Sequence, residues 1–184
     1  MKIPAASLVF TLTSILLIAS AFPQLHGQNN PATNQCDVRA YVLNGGSGGV
    51  NVRAGAGPTF KIAGNLPTQK VEGIAVHITG ASGQWIRIDR AIEEGGATDR
   101  VLFSGSGWIS SKLLGISGTA IDNGATNLYQ TKSKQSAVVI RVPAGDDSIK
   151  VRGCNGRWMF VEYQQKTGWA APDSLCANSL TTCV

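Results

Sequence analysis

The sequence predicts an all-β protein in which one strand pattern occurs twice, and three observations carry that expectation. The 22 glycines in 184 residues, set among many Val, Ile and Thr residues, point to short strands separated by turns. The segment from Val76 to Ile88 lies without a gap over Ile149 to Val161, at a constant offset of 73 residues. Each of those segments is followed by a Gly-Trp pair and a leucine, Gly107-Trp108 with Leu114 and Gly168-Trp169 with Leu175, at an offset of 61.

The first segment of the chain reads as a secretory signal. Lys2 is the only charge before Asp37, and the apolar stretch Leu8 to Phe22 is shorter than the roughly 20 residues a spanning helix needs. Cleavage after Gly27 makes residues 1–27 the signal and 28–36 a short N-terminal segment; cleavage after Ala21 and an uncleaved membrane anchor are the other readings. No later segment is apolar enough to cross a bilayer, so the expected location is secreted or periplasmic.

In the repeat, Val76 and Ile78 alternate with His77 and Thr79 as on a half-buried strand. Gly80 and Gly83 bracket a turn, and Trp85-Ile86-Arg87-Ile88 opens the returning strand, so the unit is a β-hairpin. Residues Asp89 to Gly107 hold the extra length of the first copy and read as an extended hairpin or long loop. Upstream, Gly49 to Phe60 corresponds in position to Thr126 to Lys132, and each is followed by an apolar strand ending in Pro67 or Pro143. Gly55 and Gly57 read as a turn needing backbone angles closed to other residues, with Pro58 stiffening its exit. Gln130-Thr131-Lys132-Ser133-Lys134 is expected to turn differently.

Asn51-Val52-Arg53-Ala54-Gly55-Ala56-Gly57-Pro58, the apolar strand ending in Pro, Gly83-Gln84-Trp85 with Ile88, and Gly107-Trp108-Ile109 together resemble the bacterial Src-homology-3-like (SH3-like) domain family. The resemblance implies two tandem small β-barrels: domain 1 over residues 37–115, a linker over 116–125, and a divergent domain 2 over 126–184. It also implies cell-wall or peptide binding. The expected ligand is bacterial peptidoglycan or an extended peptide, held by Asn51, Arg53 and Trp108. Another exported protein, with this chain as adaptor, is the alternative partner. Trp108 reads equally as packing or as groove; Trp85 and Trp158 are assigned to the core.

No catalytic residue, metal site or cofactor is expected. His77, the only histidine beyond the signal, occupies an outward strand position, and its repeat partner is Lys150. Glu93-Glu94 and Asp146-Asp147 are neighbours in turn-like sequence, not carboxyls held across a substrate. The glycine cluster at 45–49 lacks the Gly-Lys-Ser/Thr of a phosphate loop. Residues 28–118 carry 8 basic and 6 acidic side chains and residues 119–184 carry 7 and 5. No basic stripe of the kind nucleic acid requires emerges from that balance.

Four cysteines after a signal predict two disulfides. Cys154 aligns with Ala81 and Cys176 with Gly115, so the first copy lacks both. In a barrel of this kind the hairpin turn and the end of the last strand can lie close together. The expected pairing is therefore Cys154–Cys176, leaving Cys36–Cys183 to tie the ends of the two-domain unit.

Overall fold

Thirteen strands and one short 3-10 turn (Ser111–Leu113) account for the regular structure of the computed structural model, which describes residues 34–71, 73–95, 98–119, 124–178 and 180. The expected signal segment 1–27 and Cys183 lie outside the described residues. The strands are β1 (Asn34–Val42), β2 (Val50–Arg53), β3 (Ile62–Leu66), β4 (Gly73–Ser82), β5 (Trp85–Glu94), β6 (Arg100–Ser110) and β7 (Leu114–Gly118), then β8 (Thr126–Tyr129), β9 (Val138–Val142), β10 (Ile149–Asn155), β11 (Trp158–Tyr163), β12 (Lys166–Ala170) and β13 (Leu175–Cys176). The all-β class is as expected. β1 begins inside the segment read as an N-terminal arm, and β7 takes in the first residues of the segment read as a linker.

The repeat is legible in the topology. The first half orders its strands β3-β2-β6-β5-β4 and the second β9-β8-β12-β11-β10, the same path with corresponding strands. The hairpins β4–β5 and β10–β11 turn at Gly83 and Gly156, which share a φ of 56°. Their ladders slip at matching places, between Ile78 and Gly80 and between Val151 and Gly153. The additional residues of the first copy lengthen β5 and β6 into a hairpin that reaches Glu93 and Arg100.

Two closed barrels were the expectation; the strands instead form one continuous antiparallel sheet that, among the described residues, ends at β3 and β9. The reason lies at the junction. β1 inserts beside β4 and pairs with β7 through Tyr41 and Val42, and β7 pairs on with β10 through Gly115 and Ile116. Edges that would close each half on itself are thus spent joining the halves. Tyr41 reinforces the join: its ring lies over Gly115, and its hydroxyl reaches Ser117 Oγ and the carbonyl of Asp147, each at 3.2 Å. The inward side chains follow suit, with Val52, Ile78, Ile86, Ile88 and Ile109 of the first half and Leu128, Val151 and Val161 of the second in one buried cluster.

Two glycine motifs acquire physical reasons here. In the Gly-Trp pairs the glycine faces inward. A Cβ on Gly107 would stand within contact distance of Val52 Cγ1 and 2.9 Å from the Phe103 ring, and one on Gly168 would stand 2.9 Å from Leu128 Cβ. Val52 and Leu128 are corresponding residues, so each glycine makes room for the same apolar side chain. Gly55 and Gly57 serve close approach as well, and not the unusual backbone angles expected of them: a Cβ on Gly55 would meet the Phe60 ring at 2.5 Å. The second copy keeps this turn, contrary to expectation. Ala54 N–H donates to Lys61 O (2.8 Å) and Gln130 N–H to Ala137 O (2.9 Å), while Gly57 N–H donates to Gly55 O (2.9 Å) and Ser133 N–H to Thr131 O (2.8 Å). Ser136 stands where Phe60 stood, which leaves space for the side chain of Thr131 in place of Gly55.

The expected disulfides are corrected. Cys36 is bonded to Cys154, with Cα atoms 5.8 Å apart, so neither Cys154–Cys176 nor Cys36–Cys183 forms. β1 is the cause. Its first residues dock on the β10–β11 turn, where Asp37 N–H donates to Gly156 O at 3.0 Å and Gly156 N–H to Gln35 O at 2.7 Å, which sets Cys36 against Cys154. Cys176 is disulfide-bonded as well.

Candidate functional site

One row of side chains crosses the outer face of each half. In the first, Ile62 on β3, Arg53 on β2, Trp108 on β6 and Arg87 on β5 are successive cross-strand partners. In the second, Val138 on β9, Tyr129 on β8, Trp169 on β12 and Phe160 on β11 occupy the corresponding places. Direct partners in an antiparallel pair share a face, with Cβ atoms roughly 4.5–5.5 Å apart. The inward residues between them, Val52, Ile86, Ile88, Ile109, Leu128, Met159 and Val161, are buried. All four tryptophans are half-buried on the outward side, so the assignment of Trp85 and Trp158 to the core is corrected: Ile86, Ile88, Met159 and Val161 hold that phase of the pleat.

The first row is cationic. Arg53 Nη1 donates to the carbonyl of Phe60 at 2.8 Å; Arg87 donates from Nε to Thr79 Oγ1 at 3.1 Å and from Nη2 to the Thr79 carbonyl at 3.0 Å. Neutral acceptors therefore orient both guanidiniums without cancelling their charge. Neither has a carboxylate partner among the described residues, whereas Arg39, Arg100, Arg152 and Arg157 are each ion-paired. Asn51, one pleat along β2 on the same face, accepts from Asn65 Nδ2 at 3.0 Å. Of the residues expected to bind, Arg53 and Trp108 are thus immediate neighbours and Asn51 flanks them. Arg87 completes the row and was not anticipated, although its strand phase relative to Ile86 and Ile88 marks it as outward.

The second row is aromatic. Tyr129 and Trp158 meet edge to face with ring centres 6.2 Å apart, and Phe160 and Trp169 lie 5.0 Å apart at 43°. Lys132 Nζ sits 5.6 Å above the Trp169 ring and donates to Asn155 Oδ1 at 2.7 Å. Tyr129 and Phe160 replace Arg53 and Arg87, so the same scaffold presents two chemically different faces.

His77 lies between the halves, lining two grooves of ≈ 490 and ≈ 570 Å³. Its Nδ1 is 2.8 Å from Asp89 Oδ1 and its Nε2 3.0 Å from Asp37 Oδ1, with Arg39 and Arg90 as its register neighbours. Both ring nitrogens face acceptors, an arrangement only the imidazolium fully satisfies. Partial burial lowers its pKa, but the hydrogen bonds and charges of Asp37 and Asp89 outweigh that and hold it above its ordinary value. The folded state therefore keeps the proton longer than the unfolded chain. Its stabilisation is fully present below about pH 6.5 and is lost as pH rises through the elevated folded value. Denaturation at a series of pH values should show stability falling across that window, by well under 1 kcal/mol for so exposed a pair, and the slope should vanish in His77→Gln.

The adjacent carboxylates are engaged separately: Glu93 with Arg100, Glu94 with Arg39, and Asp146 with Ser148 and Tyr163. Among the described residues no cluster of His, Cys, Asp and Glu has the makings of a metal site, and no helix is long and apolar enough to cross a membrane.

No protein-family model and no curated protein matches the chain. Among solved structures it is similar to NlpC2 from Trichomonas vaginalis (18% identity, TM-score 0.29, 77% of this chain and 48% of that one) and to NlpC1 from the same organism (17%, 0.29, 79% and 48%). The chain spans about half the length of those structures, and the likeness is too distant to bear on function.

Proposed function

We propose that the chain is an exported, non-catalytic binding protein that recognises bacterial cell-wall peptidoglycan, or its stem peptides, through units of the SH3-like kind its sequence resembles. The observation that carries this reading is the row Arg53–Trp108–Arg87: two oriented guanidiniums, without acidic partners among the described residues, flank one half-buried indole. Carboxylates of a stem peptide suit the guanidinium forks, and the indole suits an apolar side chain or sugar face between them. The Cys36–Cys154 bond supports an oxidising compartment. Absence of catalysis rests on the engagement of His77 by two carboxylates and on the three described cysteines all being bonded.

Sedimentation of the purified chain with insoluble peptidoglycan tests the proposal. The wild type should be retained, less so at higher salt. Arg53→Gln/Arg87→Gln, which keeps much of the side-chain packing, should lower affinity about tenfold or more, the worth of one or two charge-assisted hydrogen bonds. No retention of the wild type would overturn the reading in favour of a protein partner; retention untouched by the double variant would move the site elsewhere.

A further inference from the structure

We infer that the outer face of the second half, Tyr129–Trp169–Phe160 with Trp158, is a separate subsite for the sugar backbone of the same polymer. The choice of sugar rests on the wall-binding reading above.

Three features point to a saccharide. The rings belong to interior strands, whose backbone N–H and C=O groups are already used in the ladder, and not to an edge strand. A ligand there gains no main-chain hydrogen bonds and must be recognised by side chains, unlike an extended peptide added to an edge strand. The pairs Phe160–Trp169, with ring centres 5.0 Å apart, and Tyr129–Trp158, edge to face at 6.2 Å, pack into one half-buried patch of rings of the kind that takes the apolar face of a sugar. The rim is rich in amides and hydroxyls: Asn127 lies on the same strand as Tyr129, Asn155 is the residue that holds Lys132, and Gln130, Thr131 and Ser133 form the adjoining turn. Such groups match a ring of sugar hydroxyls and N-acetyl groups.

Charge separates the two faces. In the second row the positions of Arg53 and Arg87 are taken by uncharged rings. Arg152 beside it is paired with Glu162 at 2.8 Å and Lys132 is held by Asn155 over the Trp169 ring, while the exposed cations Arg141, opposite Asn127, and Lys134, in the turn, stand at the rim and not in the row. The cationic row suits the anionic peptide and the aromatic row the uncharged glycan, so one chain grips two chemically distinct parts of the polymer and gains from their linkage.

The test uses a β-1,4-linked N-acetylglucosamine hexamer, which carries neither peptide nor carboxylate, titrated into the full chain while tryptophan fluorescence is followed. Saturable binding is expected. It should weaken about tenfold in Trp169→Ala, the size of one lost ring contact, and remain unchanged in Arg53→Gln/Arg87→Gln. Tyr129→Arg/Phe160→Arg, which installs the residues the first half carries at these places, should abolish it. No saturable binding, or binding indifferent to both second-half variants, overturns the inference. Retention on peptidoglycan without hexamer binding would overturn this subsite alone; hexamer binding without dependence of wall retention on Arg53 and Arg87 would overturn the cationic row and leave this subsite standing.

Discussion

Removing the Cys36–Cys154 bond, by replacing both cysteines with alanine, should cost about 2–5 kcal/mol of unfolding free energy, measured by chemical denaturation against the oxidised wild type. The bond spans 118 residues of sequence, so cutting it restores a large loop to the unfolded chain. It also holds the start of β1 on the β10–β11 turn, and β1 is the strand through which β4 reaches β7 and the second half. Loss should therefore loosen the junction as well as lower the total, seen as faster amide exchange in β1 and β7 than in β5. A change below 1 kcal/mol would mean that the strand pairing alone secures the join.

The second large effect is expected at Gly107. Gly107→Ala should destabilise by about 1–3 kcal/mol, because the added methyl meets Val52, fully buried in the core, on one side and the Phe103 ring on the other. A surface glycine with an unstrained backbone would give the opposite sign, since alanine stiffens the unfolded chain. Thermal denaturation of Gly107→Ala beside Gly83→Ala separates the two causes. Gly83 has open space around it and a φ of 56°, so its cost is one of backbone conformation and not of crowding.

Much of this architecture was legible in the chain because local chemistry dictates it. The constant offset between Val76 and Ile149 translated directly into matching hairpins with the same bulge and the same turn glycine. Where residues point is set by strand phase, and what lies between the copies by contacts outside the repeat. Trp85 and Trp158 look like core residues by size, yet Ile86 and Ile88 claim the inward phase; putting Trp85 inside would have carried Arg87 inside with it. Applying the same parity to Trp158-Met159-Phe160-Val161 would have exposed the aromatic row. The Cys36–Cys154 pairing is not legible in the repeat because β1, the strand that brings Cys36 to Cys154, has no counterpart there. Barrel closure failed for the same reason: the sharing of β7 between halves is a tertiary choice that no local pattern announces. The turn at 130–136 hides its likeness because Phe60 and Gly55 change together, to Ser136 and Thr131, while the hydrogen bonds survive.

The central claim, that the Arg53–Trp108–Arg87 row reads the wall polymer, is tested most directly by nuclear magnetic resonance of the indole N–H groups during titration with soluble muropeptides. Four tryptophans supply four separate reporters, one of them between the two arginines. The Trp108 signal should move saturably with a stem peptide alone, and in Arg53→Gln/Arg87→Gln it should need about ten times more peptide, or more, to move as far. A Trp108 signal that never moves while the polymer is retained, or that moves equally without the arginines, would contradict the account.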